Sequence, residues 1–214
     1  MEALTAEIRR ADSSSASIDR SIARRQTVNT LVRFSETDAG RAAVEAFIAT
    51  EFAKHFNARV SEFMPTLAAL YSESGEMKAA VGYRPAAASS LFLEVYTSAP
   101  IEEVLYRQAG IRVPRAEIVE VGGLACRGGR AAMEMVKALA PVLIESGFSW
   151  VVFTGADTVR NVFQRLDLRT VALCIANKSL LGERWQEWGR YYDHNPVVMA
   201  GRIAEGVDAG RALA

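Results

Sequence analysis

Only two cysteines, Cys126 and Cys174, and two histidines, His55 and His194, occur in the 214 residues. So few thiols exclude a disulfide framework. Each cysteine sits in an apolar setting and reads as a small buried thiol of a reducing compartment. No Cys/His spacing suits zinc, so no metal is expected. No local signature of a Ser-His-Asp or Cys-His enzyme is present either. Neither sign of charge is in excess, with 25 Lys and Arg against 25 Asp and Glu. A dedicated nucleic-acid binder carries a basic surplus, so no nucleic-acid partner is expected. No apolar run approaches the roughly 18–20 residues that span a bilayer, and the N-terminus lacks the apolar stretch of a signal peptide. These absences predict a cytoplasmic protein without a transmembrane segment.

What is present is a large apolar fraction, 50% of residues, enough for the core of one domain. Residues 1–26 read as a mobile polar segment with a basic bias and a serine cluster at 13–17. Residues 27–206 form the expected domain, and 207–214 a short tail. Alternation from Thr27 to Phe34 predicts a strand. Ser35 to Asp38 can cap a helix carrying Val44, Phe47, Ile48, Phe52 and Phe56 at helical spacing. Thr66 to Ser72 and Met77 to Arg84 predict an antiparallel hairpin, its turn at Glu73-Ser74-Gly75-Glu76. Leu91 to Tyr96 suits a strand or a short helix, and Pro100 opens a helix to about Gln108. A strand from Ala116 to Leu124 leads to a helix from Arg130 to Ser146. Met133, Val136, Ala140, Leu143 and Ile144 are expected to face the core there, and Pro141 to kink it. Phe148 to Thr154 and Thr170 to Ala176 predict buried strands, separated by a helix capped by Asp157. Glu183 to Arg190 reads as a helix and Val197 to Ile203 as a last strand. This order packs economically as a central mixed sheet with helices on both faces, an α/β (α+β) fold.

The chain is organised around the passage from Glu117 to Ser146. A strand ends in Leu124-Ala125-Cys126-Arg127-Gly128-Gly129-Arg130 and a helix follows at once. Backbone N–H groups, a helix N-terminus and two arginines meet there, as an anion site requires. Arg127 and Arg130 would pair with phosphate; the alternative is solvated charge, which the helix dipole disfavours at that end. Glu120 lies within an apolar strand, sharing a face with Ile118 and Gly122. A carboxylate there is costly unless used or paired. It would act as a general base, or it forms a salt bridge to Arg84 or Arg115. Glu94 faces either a pocket or solvent. Arg84 would bind a carboxylate in bidentate fashion, or partners Glu94 or Glu120. Cys126 beside the loop raises a covalent acyl-cysteine as a minor reading, since no activating base is evident.

The order of elements, and Glu117 to Leu168 in particular, resembles the Gcn5-related N-acetyltransferase superfamily. The matching loop is Arg127-Gly128-Gly129-Arg130-Ala131-Ala132, with Arg130 where glycine is usual. The run Asn161-Val162-Phe163-Gln164-Arg165-Leu166-Asp167-Leu168 resembles a later motif, with Phe163 where a tyrosine often serves as general acid. A closer resemblance covers roughly residues 45–206. Phe63-Met64-Pro65, Gly82-Tyr83-Arg84-Pro85-Ala86, Leu91-Phe92-Leu93-Glu94-Val95-Tyr96, Val119-Glu120-Val121-Gly122-Gly123-Leu124-Ala125, Val151-Val152-Phe153-Thr154 and Trp188-Gly189-Arg190-Tyr191-Tyr192-Asp193-His194-Asn195-Pro196 are similar to the thermostable hemolysin family. That family in turn resembles acyl-homoserine-lactone synthases and N-acyl amino acid synthases.

The resemblance implies an N-acyltransferase. Its donor would be acyl-CoA or acyl-phosphopantetheine on an acyl carrier protein, which is then a candidate partner. Its acceptor would be a small amine, such as an amino acid derivative. Leu124, Cys126, Arg127, Gly128, Gly129, Arg130 and Asn161 would bind the donor, and Arg84 the acceptor. Glu120 or Glu94 would serve catalysis, and Tyr192 or His194 would supply the proton that Phe163 cannot. The bland alternative for Asn161 is a polar residue in a helix's first turns; for Tyr192 and His194 it is a tight turn covering the core edge. Two further readings stand beside this one: a membrane-active protein, as the family name suggests although no surface-active segment is evident, and a carrier-binding scaffold without catalysis. Acyl chain length and oligomeric state are left open.

Overall fold

A computed structural model describes residues 29–211. The mobile segment expected over 1–26 and the last three residues lie outside the described residues. Seven strands form one sheet: β1 (Thr30–Phe34), β2 (Thr66–Tyr71), β3 (Met77–Pro85), β4 (Ile118–Cys126), β5 (Trp150–Gly155), β6 (Thr170–Ile175) and β7 (Val197–Arg202), in the order β1-β2-β3-β4-β5-β7-β6. Every neighbouring pair is antiparallel except β4 and β5. The helices are α1 (Arg41–Phe56), α2 (Ile101–Ala109), α3 (Gly129–Glu145), α4 (Asp157–Arg165) and α5 (Ile203–Arg211). The sheet is mixed, with helices on both faces, as the order of elements predicts.

The β2–β3 hairpin closes where Gly75 adopts φ 78°, and Ser72 and Glu76 bond across the turn. On one face of the sheet α1 buries Val44, Ile48 and Phe52, while α2 buries Ile101 and Leu105 beside Ile118 and Val152. On the other, α3 lays Met135, Leu139 and Leu143 against Leu70, Val81 and Val119. Each such side chain contributes about 1.5–3 kcal/mol of burial free energy. Alternation along β4 places Ile118 with the first cluster and Val119 with the second.

Several local expectations are corrected. The α3 face is rotated: Ala131, Ala132, Met135, Leu139, Ala140 and Leu143 are buried, Met133 and Val136 are half-buried, and Ile144 is 39% exposed. Asp157 is the first helical residue of α4, not its cap, and pairs with Arg160. Gly40 occupies the N-cap of α1, because Asp38 instead closes a turn on the N–H of Ser35 at 2.6 Å. Strand β6 is an edge rather than a buried strand, and Ile175 is 74% exposed. The last strand, β7, inserts between β5 and β6 and takes the inner position. Residues Phe92–Tyr96 form a 3-10 turn, and so do Lys178–Trp188, where a helix was expected only from 183. Asn177 caps the latter by accepting from Ser179 N at 3.0 Å. Helix α5 runs through the boundary expected at 206 and packs on α3.

Candidate active site

Strands β4 and β5 pair over only three positions, Ile118–Glu120 with Trp150–Val152, and then separate. The cause lies in β4. Its register with β3 shifts between Gly82↔Gly122 and Ala80↔Ala125, so β4 carries one residue too many, and Gly123 takes φ 65°. This bulge bends β4 away, while β7 holds β5 straight to Gly155. The gap opens into a cavity of about 950 Å³. On the α3 side its walls are Val121, Leu139, Val151 and Phe163; on the opposite side stand Glu120, Arg84 and Tyr96. Apolar walls with a few convergent polar groups are the usual make-up of a small-molecule site.

One end of the cavity reaches the start of α3. Gly128 adopts φ 92° and Gly129 begins the helix, whose first turn carries no acidic residue. The unpaired N–H groups there favour an anion. Leu124, Cys126, Gly128, Gly129 and Asn161 all line the cavity. Arg127 and Arg130 do not. Arg127 pairs with Glu76 and lies over the Phe47 ring, while Arg130 Nε bonds Glu134 Oε1 at 2.9 Å. The cation at the glycines is Arg165 of α4, whose Nη1 stands 3.7 Å from where a Cβ on Gly129 would sit. Nothing local in the sequence marks Arg165, since it is brought to the loop by the packing of α4 beside α3. Burial raises the Cys126 thiol, with the charge of Glu51 adding to it, so a resting thiolate is disfavoured.

The polar wall is built around Glu120, 3% exposed. Its Oε2 accepts from Phe92 N and its Oε1 from Leu93 N, both at 2.9 Å. Arg84, opposite it in the β3–β4 register, brings Nε to 3.3 Å, a charge contact in which Nε makes no hydrogen bond. Burial raises the Glu120 carboxyl above the ordinary glutamate range, against the pull of the two N–H groups and Arg84. Glu94 is drawn away from the cavity wall. It accepts from Leu91 N at 2.8 Å and Ile101 N at 2.9 Å, and it meets Arg115 Nη1 at 2.6 Å, fastening the 92–96 turn to the start of α2.

Burial raises the Glu94 carboxyl, but Arg115 and the two N–H groups outweigh it and hold it below the ordinary range. Its contribution to stability is therefore present above the unfolded value and lost as pH falls through the folded one. Glu94→Gln is expected to flatten the fall of melting temperature below about pH 4–5; an unchanged acid limb would contradict this.

Tyr192 stands behind the wall, its hydroxyl 2.5 Å from that of Tyr96, which lines the cavity. Burial pushes both phenols up, so both remain protonated. His194 lines the cavity, its ring 5.5 Å from Phe56. Phe163 stacks on Phe153 at 4.6 Å, a role that needs no hydroxyl. A residue that sequence reasoning passed over, Glu51 of α1, is also buried and also lines the cavity.

A family model described as thermostable hemolysin matches residues 34–207. The chain belongs to the thermostable hemolysin family. No curated protein sequence matches it. Among solved structures, this family member is similar to FeeM, an N-acyl amino acid synthase from uncultured soil microbes, with 12% identity, TM-score 0.57, and coverage of 85% of this chain and 93% of that one. It is similar to the AHL synthase LasI at 12% identity and TM-score 0.54, covering 83% and 90%. It is also similar to the CoA-dependent acyl-homoserine lactone synthase BjaI, solved with SAM and isopentyl-CoA, at 10% identity and TM-score 0.56, covering 87% and 89%. The thermostable hemolysin chain thus has the fold of Gcn5-related acyltransferases. No described helix is long and apolar enough to cross a membrane.

Proposed function

We propose that the protein is an N-acyltransferase that moves an acyl group from a pantetheine thioester, acyl-CoA or acyl-phosphopantetheine on an acyl carrier protein, to a small amine. The observation that carries this is the cavity running through the gap between β4 and β5, from a helix N-terminus to a polar wall. The donor's phosphate would sit on Gly128, Gly129 and Arg165, and its pantetheine arm along Leu124 to Cys126. The thioester carbonyl would lie at the Gly123 bulge, where backbone N–H groups stabilise the oxyanion. The acyl chain would point to Val121, Leu139, Val151 and Phe163. Arg84, held by Glu120, would receive the carboxylate of an amino acid derivative. The leaving thiolate would take its proton from His194, or from Tyr192 by way of Tyr96. Glu94 serves the frame rather than the chemistry. The cytoplasm is the proposed site of action.

The test is incubation with acyl-CoA and acyl-carrier-protein thioesters and a pool of amines, followed by thiol release. Amine-dependent release and a donor-dependent rise in melting temperature are expected. Neither effect with any donor, together with lysis of red cells by the pure protein, would favour the membrane-active reading instead. The apolar wall makes a sharper prediction. Leu139→Trp fills the acyl end and is expected to lower kcat/KM for long-chain donors at least about tenfold relative to short-chain ones; an unchanged ratio would place the chain elsewhere.

A further inference from the structure

Glu51 is 6% exposed, and its Oε2 atom, buried in the cavity wall, accepts no hydrogen bond. His55 Nε2 stands 3.2 Å away and Lys54 Nζ 3.9 Å, within ion-pair reach but not directed to donate. A buried carboxylate oxygen without a donor is costly, and such a group persists where a ligand completes it. The carboxylate most visible in the sequence, Glu120, is already engaged at both oxygens by backbone N–H groups.

Glu51 also faces the right part of β4. Ile48, about one turn earlier on the same side of α1, comes within 3.9 Å of the Cβ position of Gly123 at the bulge. The charge of Glu51, after burial, helps to raise the Cys126 thiol. His55 is half in solvent, with 53% of its side chain exposed, so the pair links the cavity to water.

We infer that Glu51 is the general base for the acceptor amine and that the proton leaves to solvent on the side of the half-exposed His55. This rests on the acyl-transfer reading and adds the group that activates the nucleophile. The acceptor enters as an ammonium. One proton moves from its nitrogen to Glu51 Oε2 and from there to water. The freed lone pair forms the C–N bond at the thioester carbonyl carbon, and the C–S bond breaks. A second nitrogen-bound proton is lost as the amide forms, and the thiolate is protonated. The products are an amide, a thiol and one proton in solution.

The experiment compares wild-type protein with Glu51→Gln on an acyl-CoA donor, the rate without protein subtracted, and two acceptors: leucine, protonated near neutral pH and carrying the carboxylate that Arg84 would receive, and hydroxylamine, which is uncharged there and needs no base. Thiol release with leucine is expected to fall about a hundredfold or more, while release with hydroxylamine stays within about threefold. Ligand-free Glu51→Gln is expected to melt no lower than wild type, because the substitution removes a buried charge whose oxygen accepts no hydrogen bond and whose two ion-pair partners are largely exposed. Equal loss with both acceptors, a lower melting temperature or an unchanged leucine rate would each overturn the assignment. Wild-type protein that releases thiol with neither acceptor would overturn the acyl-transfer reading, and the role of Glu51 with it.

Discussion

Gly189→Ala is expected to lower the melting temperature by roughly 6–12 °C, the equivalent of about 3 kcal/mol in a domain of this size. A Cβ at residue 189 would lie 2.3 Å from Phe56 O and 2.4 Å from Asn57 O, both backbone atoms. The backbone there, φ 53° and ψ −121°, is one that glycine alone adopts without strain. The contact matters because the end of α1 docks at this point. Arg190 N bonds Phe56 O at 2.7 Å, and Arg59 N bonds Glu187 O at 2.6 Å. Those bonds bring Phe52 and Phe56 against Trp188 and Tyr191, with ring centroids 5.3–6.5 Å apart. Tyr191 in turn donates to Thr154 O at 3.0 Å, at the end of β5. Separating Gly189 from Phe56 therefore loosens one side of the cavity as well as the core. Differential scanning calorimetry reads the effect, and a melting temperature within about 2 °C of wild type would contradict it.

Glu120→Ala is expected to cost about 3–5 kcal/mol. The substitution leaves the buried Nε of Arg84 facing no charge and strands the N–H groups of Phe92 and Leu93. Each lost acceptor costs the desolvation of its donor. Glu120→Gln is expected to cost less, because its amide oxygen still accepts one of the two N–H groups while its NH₂ opposes the other. The double change Glu120→Gln with Arg84→Met is expected to be less destabilising than the sum of the single changes, because the two sites share one interaction. Strict additivity in urea unfolding would show that Arg84 and Glu120 are not coupled, and that Glu120 holds only the 92–96 turn.

The parts of the fold legible in the sequence were those with local causes. Gly75 between two alternating runs marks the β2–β3 hairpin. Glycines between an apolar strand and a helical pattern mark the loop at 127–130. The parts that escaped have causes far away in the chain. Nothing within Thr170–Ile175 says that β7 will insert inside it and leave it at the edge. The run from Leu91 to Tyr96 was ambiguous because its conformation is fixed from outside, by Glu120 binding the N–H groups of Phe92 and Leu93.

The candidate site divides in the same way. Leu124, Gly128, Gly129 and Asn161, expected to hold the donor, line the cavity. Arg127 and Arg130 are expected to pair with phosphate or to stand solvated, but Arg127 pairs with Glu76, about 50 residues distant, and Glu134, the partner of Arg130, is shared with Lys78. No site motif singles out Arg165 or Glu51. Each looks like an ordinary charge on a helix, and only the packing of α4 beside α3, and of α1 over the bulge in β4, gives it a place in the cavity. Glu51 follows Val44 by seven residues and Ile48 by three, so helical spacing sets it on the inward face of α1, and that is the one signal the sequence offers for it.

The most direct test of the whole account is a crystal structure with a non-reactive thioether analogue of acyl-CoA. The account predicts a pantetheine arm passing between β4 and β5, with phosphate on Gly128 and Gly129 and the carbonyl oxygen at the Gly123 bulge. A ligand bound elsewhere, or a gap that stays empty at saturating analogue, would contradict it.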